Sequence, residues 1–205
     1  MTGFRQSLKD GTEMNATQIL AELLCADYPV GEEACNALAA HAHRHTCHRK
    51  ECLVQQGELS GHIYFIVKGL FRGTAVINGR EDTLFFGTKG DPFASVHTLA
   101  HQQPAAISLQ ALEDSEVLAV AFDDFRVLLD EYADLQKWWS AMLLEQVYAL
   151  ERRYVWLTSC DASERYDTFT KVRPHIHERI PLKYIAQYIN VTPETLSRIR
   201  SRAKR

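Results

Sequence analysis

Glu194 and Arg198 stand four residues apart near the end of the chain, within the run TPETLSRIRSR that spans residues 192–202. On a helix that spacing puts both side chains on one face. A carboxylate there can accept from cytosine N4, and a guanidinium fork fits guanine O6 and N7. Thr192, Thr195, Ser197, Arg200 and Arg202 supply hydroxyls and cations suited to phosphate oxygens, contacts that position a protein without specifying sequence. The competing chemistry for Glu194 and Arg198 is an intrahelical ion pair facing solvent, worth about 0.3 kcal/mol.

The elements that must hold these residues are readable around them. Thr192 is a good N-cap, Pro193 falls at the first helical position and Glu194 in the first turn. Leu196 and Ile199 mark the apolar side. Upstream, Leu182, Ile185, Ala186 and Ile189 recur at helical spacing until Asn190-Val191 breaks the pattern. Two short helices joined by a tight turn, the second polar on its outer face, predict a helix-turn-helix able to read DNA.

The charge supports that placement. The chain of 205 residues has a formal net charge of −3. From Asp161 onward ten Lys/Arg face five Asp/Glu, a net of +5, which leaves −8 on the first 160 residues. An acidic body with a basic end suits a sensor or assembly module carrying a nucleic-acid-binding module. Hydrophobic content of 46% and charged content of 24% are ordinary for a globular protein. No run approaches the roughly 18 apolar residues of a membrane span. The polar leader over residues 1–13 has no apolar signal core, so a cytoplasmic location without membrane contact is expected. Cys25, Cys35, Cys47, Cys52 and Cys160 lack CxxC spacing and read as reduced thiols.

Before the basic end come three kinds of pattern. Asn15 or Thr17 could cap a first helix with Ile19, Leu20, Leu23 and Leu24 as its stripe, and Gly31 to His43 reads as a second. From His45 to Val120 short apolar or alternating runs (CLVQQ, HIYFIV, LFRGTAVI, EDTLFFG, AISLQAL, EVLAVAF) are closed by turn residues, with Asn78-Gly79 as a hairpin signal. Such strands argue for an antiparallel roll. Tyr132 to Ser159 then runs without Gly or Pro, and Leu135, Trp138 or Trp139, Met142, Gln146, Ala149 and Trp156 approximate a three-four alternation. A helix so long, with apolar residues on more than one side, is expected to pack against both its own domain and a partner. Ala162 to His175 gives one further helix.

Taken in order, several motifs resemble those of the Crp/Fnr family of bacterial transcription regulators. They are Gln56-Gly57-Glu58, Ile66-Val67-Lys68-Gly69, Gly90-Asp91 followed by Phe93, and the run LEDSEV at residues 112–117. Ser163-Glu164-Arg165-Tyr166 and the run TPETLSR at residues 192–198 complete the set. The resemblance implies an α+β fold: an N-terminal double-stranded β-helix (jelly-roll) sensor domain over 14–131, a long dimerisation helix over 132–160 and a C-terminal helix-turn-helix domain over 161–205. It implies a homodimer that regulates transcription from a palindromic site on double-stranded DNA, with RNA polymerase and a small-molecule effector as further partners, and no enzymatic activity. It also assigns base reading to Glu194 and Arg198. Pro193 replaces an arginine that many relatives carry, and the segment from Pro174 to Pro181 is too short for a full β-wing.

The effector pocket departs from the family pattern. Relatives that bind a cyclic nucleotide carry Gly-Glu for the ribose and Arg-Ser or Arg-Thr for the phosphate. Here Ala94-Ser95 and Ala105-Ala106 align with those pairs. A buried phosphate without a cation carries a large desolvation cost, so useful affinity for cyclic AMP is not expected. The effector residues are thus unassigned.

One further cluster has ligand chemistry: His41, His43, His45, Cys47, His48 and Cys52. A strand over 43–48 would send His43, His45 and Cys47 to one face, a set suited to zinc, iron or haem. Histidine-rich surfaces are commoner without metal, so no metal or cofactor is expected. The alternatives are a metal-, haem- or redox-sensing regulator and a cupin-like metal-dependent enzyme. The enzyme would need convergent histidines on the roll, where His62 and His97 stand apart.

Overall fold

Asn15 opens the first helix with a reciprocal cap. Its side-chain oxygen accepts from the Gln18 amide at 2.8 Å, and the Gln18 side chain accepts from the Asn15 amide at 3.1 Å. The computed structural model describes residues 15–24, 28–172 and 174–203, so the expected leader, Cys25 and the last two residues lie outside the described residues. Helix α1 (Ala16–Leu24) is followed by α2 (Glu32–Ala40). The second helix is shorter than the expected Gly31–His43: His41 caps it, and Ala42 already pairs with Val120 in a sheet.

The strands are β1 (Ala42–Cys47), β2 (Cys52–Val54), β3 (His62–Lys68), β4 (Leu70–Ile77), β5 (Arg80–Thr88) and β6 (Pro92–Ala94). A short helix α3 (Val96–His101) precedes β7 (Ser108–Ala111) and β8 (Ser115–Ala121). They form two antiparallel four-stranded sheets in the orders β1-β8-β3-β6 and β2-β7-β4-β5. Strand β3 explains why HIYFIV does not alternate. Ile63 and Phe65 pack under helices with Leu20, Leu38, Phe125 and Leu135, whereas Tyr64 and Ile66 face the second sheet with Phe71 and Leu109. A strand buried on both faces needs apolar residues throughout.

Two turns fix the register. Asn78 (φ 52°) and Gly79 (φ 76°) join β4 to β5, supplying the two positive φ angles a tight hairpin requires. Gly69, at φ 113°, lies where a Cβ would sit 2.0 Å from Ser115 Oγ. Both the backbone angle and the close approach demand glycine there.

After the roll come α4 (Phe122–Glu131), α5 (Ala133–Ser159), α6 (Ala162–Val172), α7 (Pro174–His177), α8 (Leu182–Tyr188) and α9 (Pro193–Ala203). The helix expected over Ala162–His175 is thus two, α6 and α7, the second opening on Pro174. The last four helices enclose Tyr166, Phe169, Ile176, Ile185, Ile189, Leu196 and Ile199. They share that core with Leu70, Phe86 and Leu112 of the roll. Leu182, expected on the inner stripe, is 45% exposed because it sits in the first turn of α8, ahead of the buried Ile185.

Asp134 ties α5 to α2, its carboxylate accepting from the amides of Gly31 and Leu135. The Gly31 amide is the main cause of a carboxyl pKa held below its ordinary value. A lowered folded-state pKa means that this contribution is present above the ordinary carboxylate range and is lost as pH falls through the lowered value. Asp134→Asn, which keeps an acceptor but removes the charge, is therefore expected to cost about 0.5 kcal/mol at neutral pH, the charged bond being the stronger of the two. Urea midpoints of the two proteins should converge as the solution is acidified below the carboxylate range.

Candidate nucleic-acid interface and the interior of the roll

Thr192 starts α9 as a cap: its hydroxyl accepts from the Thr195 amide at 3.2 Å and its carbonyl from the Leu196 amide at 3.0 Å. Asn190, at φ 55°, makes the turn out of α8, a conformation that asparagine tolerates. Leu196 and Ile199 bury one side of the helix. Glu194, Ser197, Arg198, Ser201 and Arg202 are exposed at three- and four-residue spacings, which makes a single outward stripe. Thr192 is exposed at the start of the helix, while Thr195 and Arg200 are half-buried at the edges of the stripe. Ser201 was missed from sequence, although it lies four residues after Ser197 on the same face; its hydroxyl donates to the Ser197 carbonyl at 3.0 Å.

Glu194 and Arg198 form no ion pair among the described residues. The Arg198 guanidinium donates instead to Thr195 Oγ1 at 3.2 Å. The Glu194 carboxyl is held below its ordinary pKa chiefly by its own backbone amide, then by the Thr192 hydroxyl, with Arg198 adding to the effect. An anion at a helix N-terminus is stabilised in that way. Among the described residues after Asp161 there is no strand, so α9 is presented by helices alone.

Helix α8 is seated on the roll. Arg72 on β4, 2% exposed, donates to Gln110 Oε1 at 2.9 Å, Thr83 Oγ1 at 3.2 Å, Gln187 Oε1 at 3.4 Å and Glu81 Oε1 at 2.9 Å. Its guanidinium also lies 3.7 Å from the centre of the Tyr184 ring. Gln187 completes the seat by accepting from Thr83 at 2.8 Å and donating to the Glu81 carbonyl at 2.9 Å. Arg179 reaches Glu113 with two guanidinium donors. Beside these, Phe86 of β5 stacks obliquely on Phe169 and Tyr188.

Helix α5 spans 27 residues, about 40 Å at 1.5 Å per residue. Its first turns bury Leu135 and Trp138 in the roll, and Trp156 near its end packs on Tyr188. Between them Leu143, Val147, Leu150 and Tyr154 are exposed at alternating four- and three-residue steps, with Leu150 at 68% and Tyr154 at 71%. Gln146 and Ala149, expected on the alternation that begins at Leu135 and Trp138, are exposed as well. That alternation is buried at Leu135 and Trp138, where it meets the roll, and exposed apolar residues lie beside it further on. Trp156 Nε1 and Arg153 Nη1 are buried donors with no acceptor among the described residues.

Inside the roll, Ser95 is buried and caps α3, bonding the Thr98 hydroxyl at 3.0 Å and amide at 3.4 Å. The backbone of Ala105 closes the loop at Gly57-Glu58, with its amide 2.8 Å from the Glu58 carbonyl and its carbonyl 2.9 Å from the Gly57 amide. Among the described residues Arg72 is the only charged side chain in the buried class, and its donors are committed to the seat of α8.

The histidine-rich strand is β1, with His43 and His45 exposed and Cys47 buried. A tight turn follows, with Lys50 at φ 76° and the Glu51 amide 2.9 Å from the His48 carbonyl. His45, Cys47 and Glu51 bring one ligand atom each to within 4.8 Å of one another, and no other such group occurs among the described residues. His62 and His97 therefore join no ligand cluster. Burial, with the Glu51 charge and Cys52 adding, pushes the Cys47 thiol up to about 11. No helix among the described residues is long and apolar enough to cross a membrane.

The family model for the cyclic nucleotide-binding domain matches residues 44–132. A cAMP-activated global transcriptional regulator of Pasteurella multocida (strain Pm70) is 25% identical over 130 residues, which cover 62% of this chain and 61% of that protein. The match therefore spans less than two thirds of that relative. The structure of FixK2 from Bradyrhizobium japonicum has a TM-score of 0.67 at 22% identity, covering 78% of this chain and 83% of its own. The c-di-GMP-responsive global regulator CLP of Xanthomonas campestris gives 0.73 at 14%, with coverage of 85% and 92%. At such identities these two establish likeness of fold. In its matched domain, its order of elements and its fold, the chain is similar to regulators of the Crp/Fnr family.

Proposed function

We propose that the chain is a sequence-specific DNA-binding transcription regulator that acts as a homodimer on a palindromic site, and that its roll does not take cyclic AMP. The observation that carries this reading is the outward stripe of α9. Glu194 and Arg198 are free of each other and face solvent, capped into position by Thr192 and flanked by Ser197, Ser201 and Arg202. Such a surface offers a base-reading carboxylate and guanidinium between phosphate ligands. Thr192, Thr195 and Arg200 lie at its start and edges, where the sugar-phosphate backbone runs.

The partner proposed for the α5 seam is a second copy of the chain. A parallel pair would interdigitate Leu143, Val147, Leu150 and Tyr154 at the three-four steps of a coiled coil. Two copies of α9 would then enter successive major grooves about 34 Å apart. The domains assigned to this reading are the roll over 14–131, the helix over 132–160 and the DNA-binding unit over 161–205. RNA polymerase is the further partner that regulation from such a site requires.

Selection of bound sequences from a random duplex library tests the reading. A two-fold symmetric consensus is expected, and Arg198→Ala should lose it, each arginine–guanine contact being worth about 1–3 kcal/mol of discrimination. Enrichment of an asymmetric site, or a consensus unchanged in Arg198→Ala, would refute it. Leu150→Glu should give a monomer on sedimentation while leaving the thermal transition of the fold in place. Calorimetric titration with cyclic AMP should give no heat of binding at micromolar concentrations, because Ala105 and Ala106, which align with the phosphate pair, offer no cation.

A further inference from the structure

We infer that His45, Cys47 and Glu51 form a binding site for a borderline divalent cation of the zinc class, against the metal-free expectation from the sequence. Their ligand atoms already lie within 4.8 Å of one another. Metal–donor distances of about 2.0–2.3 Å place the donors of a tetrahedral site about 3.5 Å apart. Side-chain rotation of about 1 Å by the two exposed members closes that gap, with buried Cys47 as the fixed point.

The donor set selects the ion. An imidazole, a thiolate and a carboxylate suit zinc or cobalt, whereas magnesium and calcium prefer oxygen alone. The set differs from the expected His43, His45 and Cys47. Strand alternation supplies His45 and Cys47, but the turn after β1 then folds Glu51 back to them. That carboxylate is held by a second partner, the His48 amide, which donates to Glu51 Oε2 at 2.8 Å. Such outer partners orient ligands and raise affinity. On binding, the Cys47 S–H bond breaks, its proton passes to solvent and a sulfur–metal bond forms. The cation, the thiolate and the Glu51 carboxylate sum to zero charge, which limits the cost of placing a metal beside a buried thiol. Exposed His45 and Glu51 leave an entry path and a fourth position for water. The same turn carries Arg49 and Lys50, which line a cleft of about 120 Å³ opposite Pro181, Lys183 and Tyr184. Metal occupancy and the seat of the helix-turn-helix thus share one loop.

Cobalt is the probe for the test. The full chain, reduced and stripped with chelator, is titrated with cobalt and followed by its thiolate-to-cobalt charge-transfer and d–d bands, then back-titrated with zinc. One equivalent with tetrahedral d–d intensity is expected, displaced by zinc. Cys47→Ser should abolish the charge-transfer band, and Cys160→Ser should keep it. Because Cys47 is buried, His45→Ala and Glu51→Gln provide surface variants that leave the core intact. Each should weaken binding about 100-fold or more, beyond the ~10–100-fold loss typical of an outer-shell partner. A band that survives Cys47→Ser, unchanged affinity in both surface variants, or no cobalt bound by the reduced parent protein would overturn the assignment.

Discussion

The buried guanidinium of Arg72 is the constraint on which the arrangement of the two halves depends. A lone cation in that position would cost several kcal/mol, and attraction to Glu81 alone offsets this only with good geometry and further hydrogen bonds. Those come from both halves: Gln110 and Thr83 from the roll, Gln187 and the Tyr184 ring from α8. Removing the last helices would expose this charge together with Leu70, Phe86 and Leu112, which share a core with Ile185 and Leu196. Helix α8 thus completes a site whose other partners, Gln110, Thr83 and Glu81, belong to the roll.

Local chemistry made much of this legible from sequence. The cap at Thr192, the positive-φ pair Asn78-Gly79 and the strand runs each carry their own reason within a few residues. What escaped depends on residues far apart in the chain. Arg72 meets Gln187 across 115 positions, and nothing near LFRGTAVI says that its arginine is internal. How far α5 stays against the roll is a second case. Leu135 and Trp138 set a periodicity that continues numerically through Gln146 and Ala149, but the roll ends before it does, and the exposed stripe lies beside it. Glu51 joined His45 and Cys47 only through a turn in which Lys50 adopts φ 76°, an angle with no sequence signal in lysine.

The two stretches of α5 answer to different energetics. Near Trp138 the helix contributes rings to a cluster with Phe65, Phe125 and Trp139, a core that exists within one chain. Between Met142 and Arg153 the same helix leaves roll and core behind, and burying each exposed leucine or valine would contribute about 1.5–3 kcal/mol. In the proposed dimer, stability of that stretch would therefore be tied to chain concentration in a way that the roll is not.

The seat of α8 has the composition of a contact that can change. Among the described residues only one hydrogen bond of the Arg72 guanidinium, to Gln187, reaches α8, a bond to a charged group worth about 1.5–3 kcal/mol. The apolar share of the seat on the roll side is Phe86 with Leu70 and Leu112. Contacts of that kind resemble transient rather than obligate interfaces. A ligand shifts such an equilibrium only by its difference in affinity for the two states. Ser95 and Ala105, which align with nucleotide-contacting pairs of cyclic nucleotide-binding relatives, are buried and committed to cap and loop. The 48–51 turn, by contrast, borders α8 directly through Arg49 and Lys50. A charge placed on that turn would act on Lys183 and Tyr184 without passing through the packed interior, which makes the outer edge of the roll the shorter route to the last two helices.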